Sequence, residues 1–97
     1  MKIINLIPST RKGKRFEVIL SDGKSYHFGL DGADTYIDGA SKQKRDAFLA
    51  RHLNNPLEKK LIQELIPSPS LFATYLIWLT PSLEDNIKIL NKLLSEK

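Results

Sequence analysis

Ninety-seven residues hold one hydrophobic core and leave no room for two, so the chain reads as a single domain over residues 1–97. A hydrophobic fraction of 41% and a charged fraction of 27% exclude a disordered chain, and the lack of cysteine excludes disulfides, thiolate nucleophiles and cysteine-bound zinc. The net charge of +4 is regional, with Lys2, Arg11, Lys12, Lys14 and Arg15 near the start, Lys42, Lys44, Arg45 and Arg51 later, and an acidic stretch from Asp31 to Asp38 between them.

The opening Met-Lys-Ile-Ile-Asn-Leu-Ile-Pro is too short and interrupted for a signal peptide, and residues 2–7 read as a strand closed by Pro8. After a basic loop at 9–13, the segments 15–20 and 24–30 flank Asp22-Gly23, a strong signal for a two-residue type I′ hairpin turn. That turn pairs Leu20 with Ser25, Ile19 with Tyr26, Val18 with His27 and Glu17 with Phe28. One face then carries Phe16, Val18 and Leu20 beside His27, and the other carries Ile19, Tyr26 and Phe28. Both faces are partly apolar, so either could pack on the helices. Residues 31–40, with two Asp/Gly pairs, read as a loop.

The second half is helical. Ser41 caps a helix over 42–53, and Asn55-Pro56, Ser68-Pro69 and Thr80-Pro81 each join a capping side chain to a proline at the first helical position. These pairs predict helices over 56–66, 69–79 and 82–95. The last has an apolar stripe at Leu83, Ile87, Leu90 and Leu94, whereas 69–79 is apolar over a wide arc and should be the central buried helix. At about half the length of a membrane span, that apolar run predicts no membrane helix. Trp78 among such neighbours reads as core rather than as a base-stacking platform. The fold class is α+β: an N-terminal antiparallel sheet over 1–30 with a hairpin at Asp22-Gly23 and 2–7 as a candidate third strand, then about four helices over 41–95.

Three clusters carry candidate chemistry. On the helix over 42–53, Arg45, Phe48, Leu49, His52 and Leu53 share a face, and Glu58 falls within the apolar arc of the next helix. A half-buried pair of Glu58 with Arg45 or His52 follows, read as a structural clamp over a general acid/base centre because no nucleophile or metal set accompanies it. Arg11, Lys12, Lys14, Arg15, Lys44 and Arg51 form the second cluster, suited to phosphate contacts that position without reading sequence, or to a solvated charged surface. Asp31, Asp34 and Asp38 lack the spacing of a calcium loop and read as turn formers, and His27 and His52 are isolated in sequence. No cofactor and no catalytic residue is assigned.

A further signal lies in the order of short motifs. His27-Phe28-Gly29, Asp34-Thr35-Tyr36, a basic helix ending Ala50-Arg51-His52, Glu58, Leu76-Ile77-Trp78 and Pro81-Ser82-Leu83 occur in succession before an amphipathic last helix. Over about residues 10–95 this succession resembles a small uncharacterised protein family of giant nucleocytoplasmic DNA viruses of algae and amoebae. The resemblance implies a viral protein made in host cytoplasm, with the virion as a further location. It implies no activity, and its motif includes Arg51, His52 and Glu58. The leading expectation is a non-enzymatic viral accessory protein that contacts the DNA or RNA phosphate backbone through its basic loop and helix surface. The rival is a virion structural adaptor that packs on other virion proteins. A small enzyme comes third.

Overall fold

A computed structural model describes residues 1–96. Three antiparallel strands, β1 (Ile3–Pro8), β2 (Lys14–Leu20) and β3 (Ser25–Leu30), form a sheet in the order β1-β2-β3. A single 3₁₀ turn at Tyr36–Asp38 follows, then α1 (Lys42–Asn54), α2 (Pro56–Gln63), α3 (Pro69–Phe72), a π-helical stretch over Ala73–Ile77, and α4 (Leu83–Ser95). The fold is α+β, and none of the described helices is long and apolar enough to cross a membrane.

The β2–β3 register differs by one residue from the expected one. Phe16 faces Phe28, Glu17 faces His27, Val18 faces Tyr26 and Ile19 faces Ser25. The turn is longer than two residues: Gly23 N–H bonds to the carbonyl of Leu20, and Leu20 N–H to that of Lys24. Within the turn only Gly23 takes positive φ, at 88°. This is a type I turn closed by a glycine bulge. Asp22 stays out of the left-handed region because its Oδ1 accepts from Lys24 N–H at 3.0 Å, a local bond that competes with the type I′ geometry. A one-residue slip moves every β3 side chain to the other face. Phe16, Val18, Leu20, Tyr26 and Phe28 therefore share the face that meets the helices, and Glu17, Ile19 and His27 take the other.

Helix ends follow their capping residues at three starts. Ser41 Oγ accepts from Lys44 N–H, Asn55 Oδ1 from Leu57 and Glu58 N–H, and Ser68 Oγ from Leu71 N–H. The fourth start differs. Ser82, not Thr80, caps α4 by accepting from Asp85 N–H. Helix α2 also stops short of residue 66. Leu65 turns left-handed at φ 55°, and Ile66 N–H reaches back to the Leu61 carbonyl. Pro67 supplies the reason, since the residue before a proline disfavours the helical region.

The core joins Val18, Leu20 and Phe28 of the sheet to Phe72, Leu76, Ile77 and Trp78 of the central segment and to Leu90 and Leu94 of α4. The helix expected over 69–79 is neither uniformly α-helical nor that long. It widens into the π form at Ala73 and ends at Ile77. Wide turns of this kind carry an inserted residue and leave carbonyls without helical partners. Asn86 serves that end. Its Nδ2 donates to the carbonyls of Leu76 and Thr80, and its Oδ1 accepts from Thr80 N–H and Thr80 Oγ1 at 3.1 and 2.6 Å. Arg45 Nε donates to the carbonyls of Trp78 and Leu79 from the other side.

Asn86 is wholly buried, so Asn86→Ala would strand its backbone and hydroxyl partners away from bulk solvent. A loss on the order of 3 kcal/mol in chemical denaturation is expected, with the denaturant slope unchanged. A loss within error would show that the turn after Trp78 does not depend on this amide.

Candidate nucleic-acid interface

The expected cationic cluster separates into free and engaged members. Arg15 is engaged. Its guanidinium grips Asp38 with both terminal nitrogens, the Nη2–Oδ1 bond being 2.6 Å, and Nη1 also donates to Thr35 Oγ1. Arg15, expected among the phosphate contacts, is thus already held in an ion pair within the fold. Arg11, Lys12, Lys14, Lys44 and Arg51 are exposed, and none of them forms an ion pair with the described residues.

The Arg15 bond holds the Asp38 carboxyl well below the usual carboxylate range; burial opposes this, and hydrogen bonds from Thr35 reinforce it. Asp38 in turn raises Arg15. The aspartate read as a turn former thus also anchors the loop after β3 to the sheet.

The clamp also divides. Arg45 lies on the carbonyls after Trp78, pairs with Asp46 and sits over the Tyr36 ring, so it is no partner of Glu58. His52 Nε2 stands 3.8 Å from Glu58 Oε1, outside hydrogen-bonding distance, and that oxygen accepts instead from Ser70 Oγ at 2.9 Å. Glu58 thus ties α2 to α3. His52 Nδ1–H donates to the Phe48 carbonyl, which leaves Nε2 as the ring atom facing Glu58.

His52, Glu58 and Ser70 line a cleft of about 290 Å³. Lys14 stands at the start of β2, and Phe28, Gly29 and Leu30 form the β3 wall. Phe48 and His52 of α1, Glu58 of α2 and Ser70 of α3 face them. Gly29 has φ 81°, and a Cβ there would lie 3.2 Å from Arg15 Cβ, so a larger residue would disturb this wall. Behind it, three rings stack in series. Trp78 lies on Phe48 with centroids 4.6 Å apart, and Phe48 on His52 at 4.0 Å. Trp78 is buried at the inner end, and His52 ends the stack at the cleft.

On the sheet's outer face, Ser9 Oγ bonds to His27 Nδ1 at 2.7 Å, and His27 Nε2 lies 3.7 Å from Glu17. Ser9 Oγ also accepts from Arg11 N–H, so the row fixes the base of the basic loop. None of the three lines the cleft. The expected register set Glu17 and His27 on opposite faces, which concealed the row. Ser70 was missed for another reason, because its neighbours Ser68-Pro69 already explained that helix start.

The model of a family of unknown function, DUF5754, matches residues 4–52, just over half of the chain. The chain belongs to this family. The DUF5754 match spans the sheet from residue 4, the 3₁₀ turn and α1 as far as His52, so it takes in Arg11, Lys12, Lys14, Arg15, Lys44 and Arg51 and stops before Glu58 and Ser70. No curated protein and no solved structure matches.

A carboxylate depressed in the fold adds stability above its unfolded pKa, about 3.9 for aspartate, and loses it as the pH falls toward the folded value. Asp38→Asn should therefore lower stability on the order of 1 kcal/mol at pH 7, with the gap to the parent closing below about pH 4. A gap constant from pH 7 to pH 3 would remove the ion pair from the account. Glu58→Ala, at a side chain 30% exposed, should cost about 1 kcal/mol in thermal or urea unfolding. A cost near 3 kcal/mol would restore a buried charge pair.

Proposed function

We propose that the protein binds nucleic-acid phosphate without catalysis and without reading base sequence, through the basic loop between β1 and β2 and the adjoining surface of α1. One observation carries the reading. Lys14 and His52 line the same cleft, so the loop bearing Arg11, Lys12 and Lys14 adjoins the end of α1 that bears Arg51. Arg11, Lys12, Lys14, Lys44 and Arg51 on these two elements are exposed and form no ion pair among the described residues. Unpaired lysine and arginine release counterions from a polyanion without first breaking an internal salt bridge. A viral accessory role, in host cytoplasm or the virion, belongs to the same proposal; its support is the resemblance of the motif order.

A second reading, an adaptor packing on other virion proteins, is favoured by Leu30 and Leu57, which are 68% and 66% exposed. Exposed aliphatic side chains serve protein contacts where they adjoin in one patch.

The two readings separate in one titration. Fluorescence anisotropy with unrelated single-stranded and duplex oligonucleotides should show binding that weakens steeply with salt. Arg11→Ala, Lys12→Ala and Lys14→Ala combined should weaken it by a similar factor for every sequence and flatten the salt slope by about 0.9 per lost duplex phosphate contact. Arg15 is left out of the set because its replacement would break the Asp38 pair. Absence of binding at low salt would end the phosphate reading, and a concentration-dependent rise in mass would then favour the adaptor.

A further inference from the structure

We propose that the cleft is a subsite for one unpaired nucleobase, stacked on the open face of His52; this deepens the phosphate-binding reading and rests on it. The stacking observations are independent of the surface cations. Phe48 covers one face of the His52 ring, and the side chain, 24% exposed, lines the cleft. An aromatic ring already backed by two others is held rigid, which lowers the entropy lost when a further planar ring joins the stack. Ligand clefts run from about 300 to 1,000 Å³, so this one, about 290 Å³, takes a single base rather than a run of nucleotides.

Charge across the cleft fixes the orientation. Lys14 is a cation with no ion-pair partner among the described residues. On the opposite wall Glu58 keeps Oε1 for Ser70, while Oε2 has no hydrogen-bond partner among the described residues. A phosphate entering toward Glu58 would be repelled, whereas the N–H edge of a base would meet a ready acceptor. The base therefore enters toward α2, and its phosphate stays at Lys14. Stacking of this kind tolerates any base, in keeping with the lack of sequence reading, but it requires an unpaired one. Single strands should consequently be preferred to duplex.

The test compares three ligands of equal length on the full chain at low salt: a mixed-sequence single strand, the same backbone made wholly abasic, and the duplex. The single strand should bind on the order of tenfold tighter than the abasic backbone of equal charge. A 2-aminopurine placed in the strand should lose fluorescence at saturation. His52→Leu should bring the ratio of single-strand to abasic affinity close to one. The wild-type comparison decides the matter even if that variant does not fold. Equal affinity for the single strand and the abasic backbone, with 2-aminopurine unquenched, would overturn the base subsite and leave phosphate binding in place. Failure to bind any of the three would overturn both.

Discussion

The fold turns on one buried amide. Asn86 takes up the carbonyls of Leu76 and Thr80 and the N–H and hydroxyl of Thr80, at the place where the central segment must leave helical geometry and reverse into α4. Without those bonds the end of the π-helical stretch would face the core with its polar groups unmet, a penalty larger than most single side-chain contacts repay. With them, α4 docks in one register, and Leu90 and Leu94 enter the core. Arg45 bonds the intervening carbonyls of Trp78 and Leu79 from α1, so the same reversal also locates the helix that carries Phe48 and His52. The candidate site thus inherits its geometry from a turn well removed in sequence.

Much of this was legible in the chain. A serine or asparagine before a proline announced two helix starts, and Ser41 a third, because capping is a local bargain between a side chain and the next few N–H groups. The same grammar failed at Thr80-Pro81, although Pro-Ser-Leu occurs there as it does at 69–71. There Asn86, six residues on, claims the threonine hydroxyl. Asn86 itself lies three residues after Leu83 and four before Leu90, within the apolar stripe, and a polar residue in such a stripe is a signal that could have been read. The hairpin is a similar case. Asp22-Gly23 is compatible with both turn lengths, but only the longer one sets Tyr26 and Phe28 beside Phe16, Val18 and Leu20. The burial pattern of the two strands held the information that the turn dipeptide lacked.

The site was less legible because charge partners are chosen across the fold. A helical face correctly groups Arg45 with His52, yet it cannot show that Arg45 reaches carbonyls more than thirty residues away. Nor does a run of basic residues reveal that Arg15 alone among the loop cations meets an aspartate brought round by the 3₁₀ turn. What the run does convey is supply. Once the paired members are removed, one of the remaining cations, Lys14, lines a cleft that Glu58 also lines, and that polarity distinguishes it from a uniformly basic surface.

The tie between the first strand and the last helix has a consequence for biosynthesis. Asn91 accepts from Ile3 N–H at 2.7 Å and returns a weaker bond to the Ile3 carbonyl, occupying backbone groups on the outer edge strand of the sheet. During translation, β1 leaves the ribosome many residues before Asn91 does. Until α4 emerges, the strand presents an unprotected edge, with Ile4 exposed beside it, of the kind that pairs with other chains. Contacts spanning almost the whole sequence close slowly. The nascent chain is therefore most open to misassembly in the interval between completing its sheet and making its final helix.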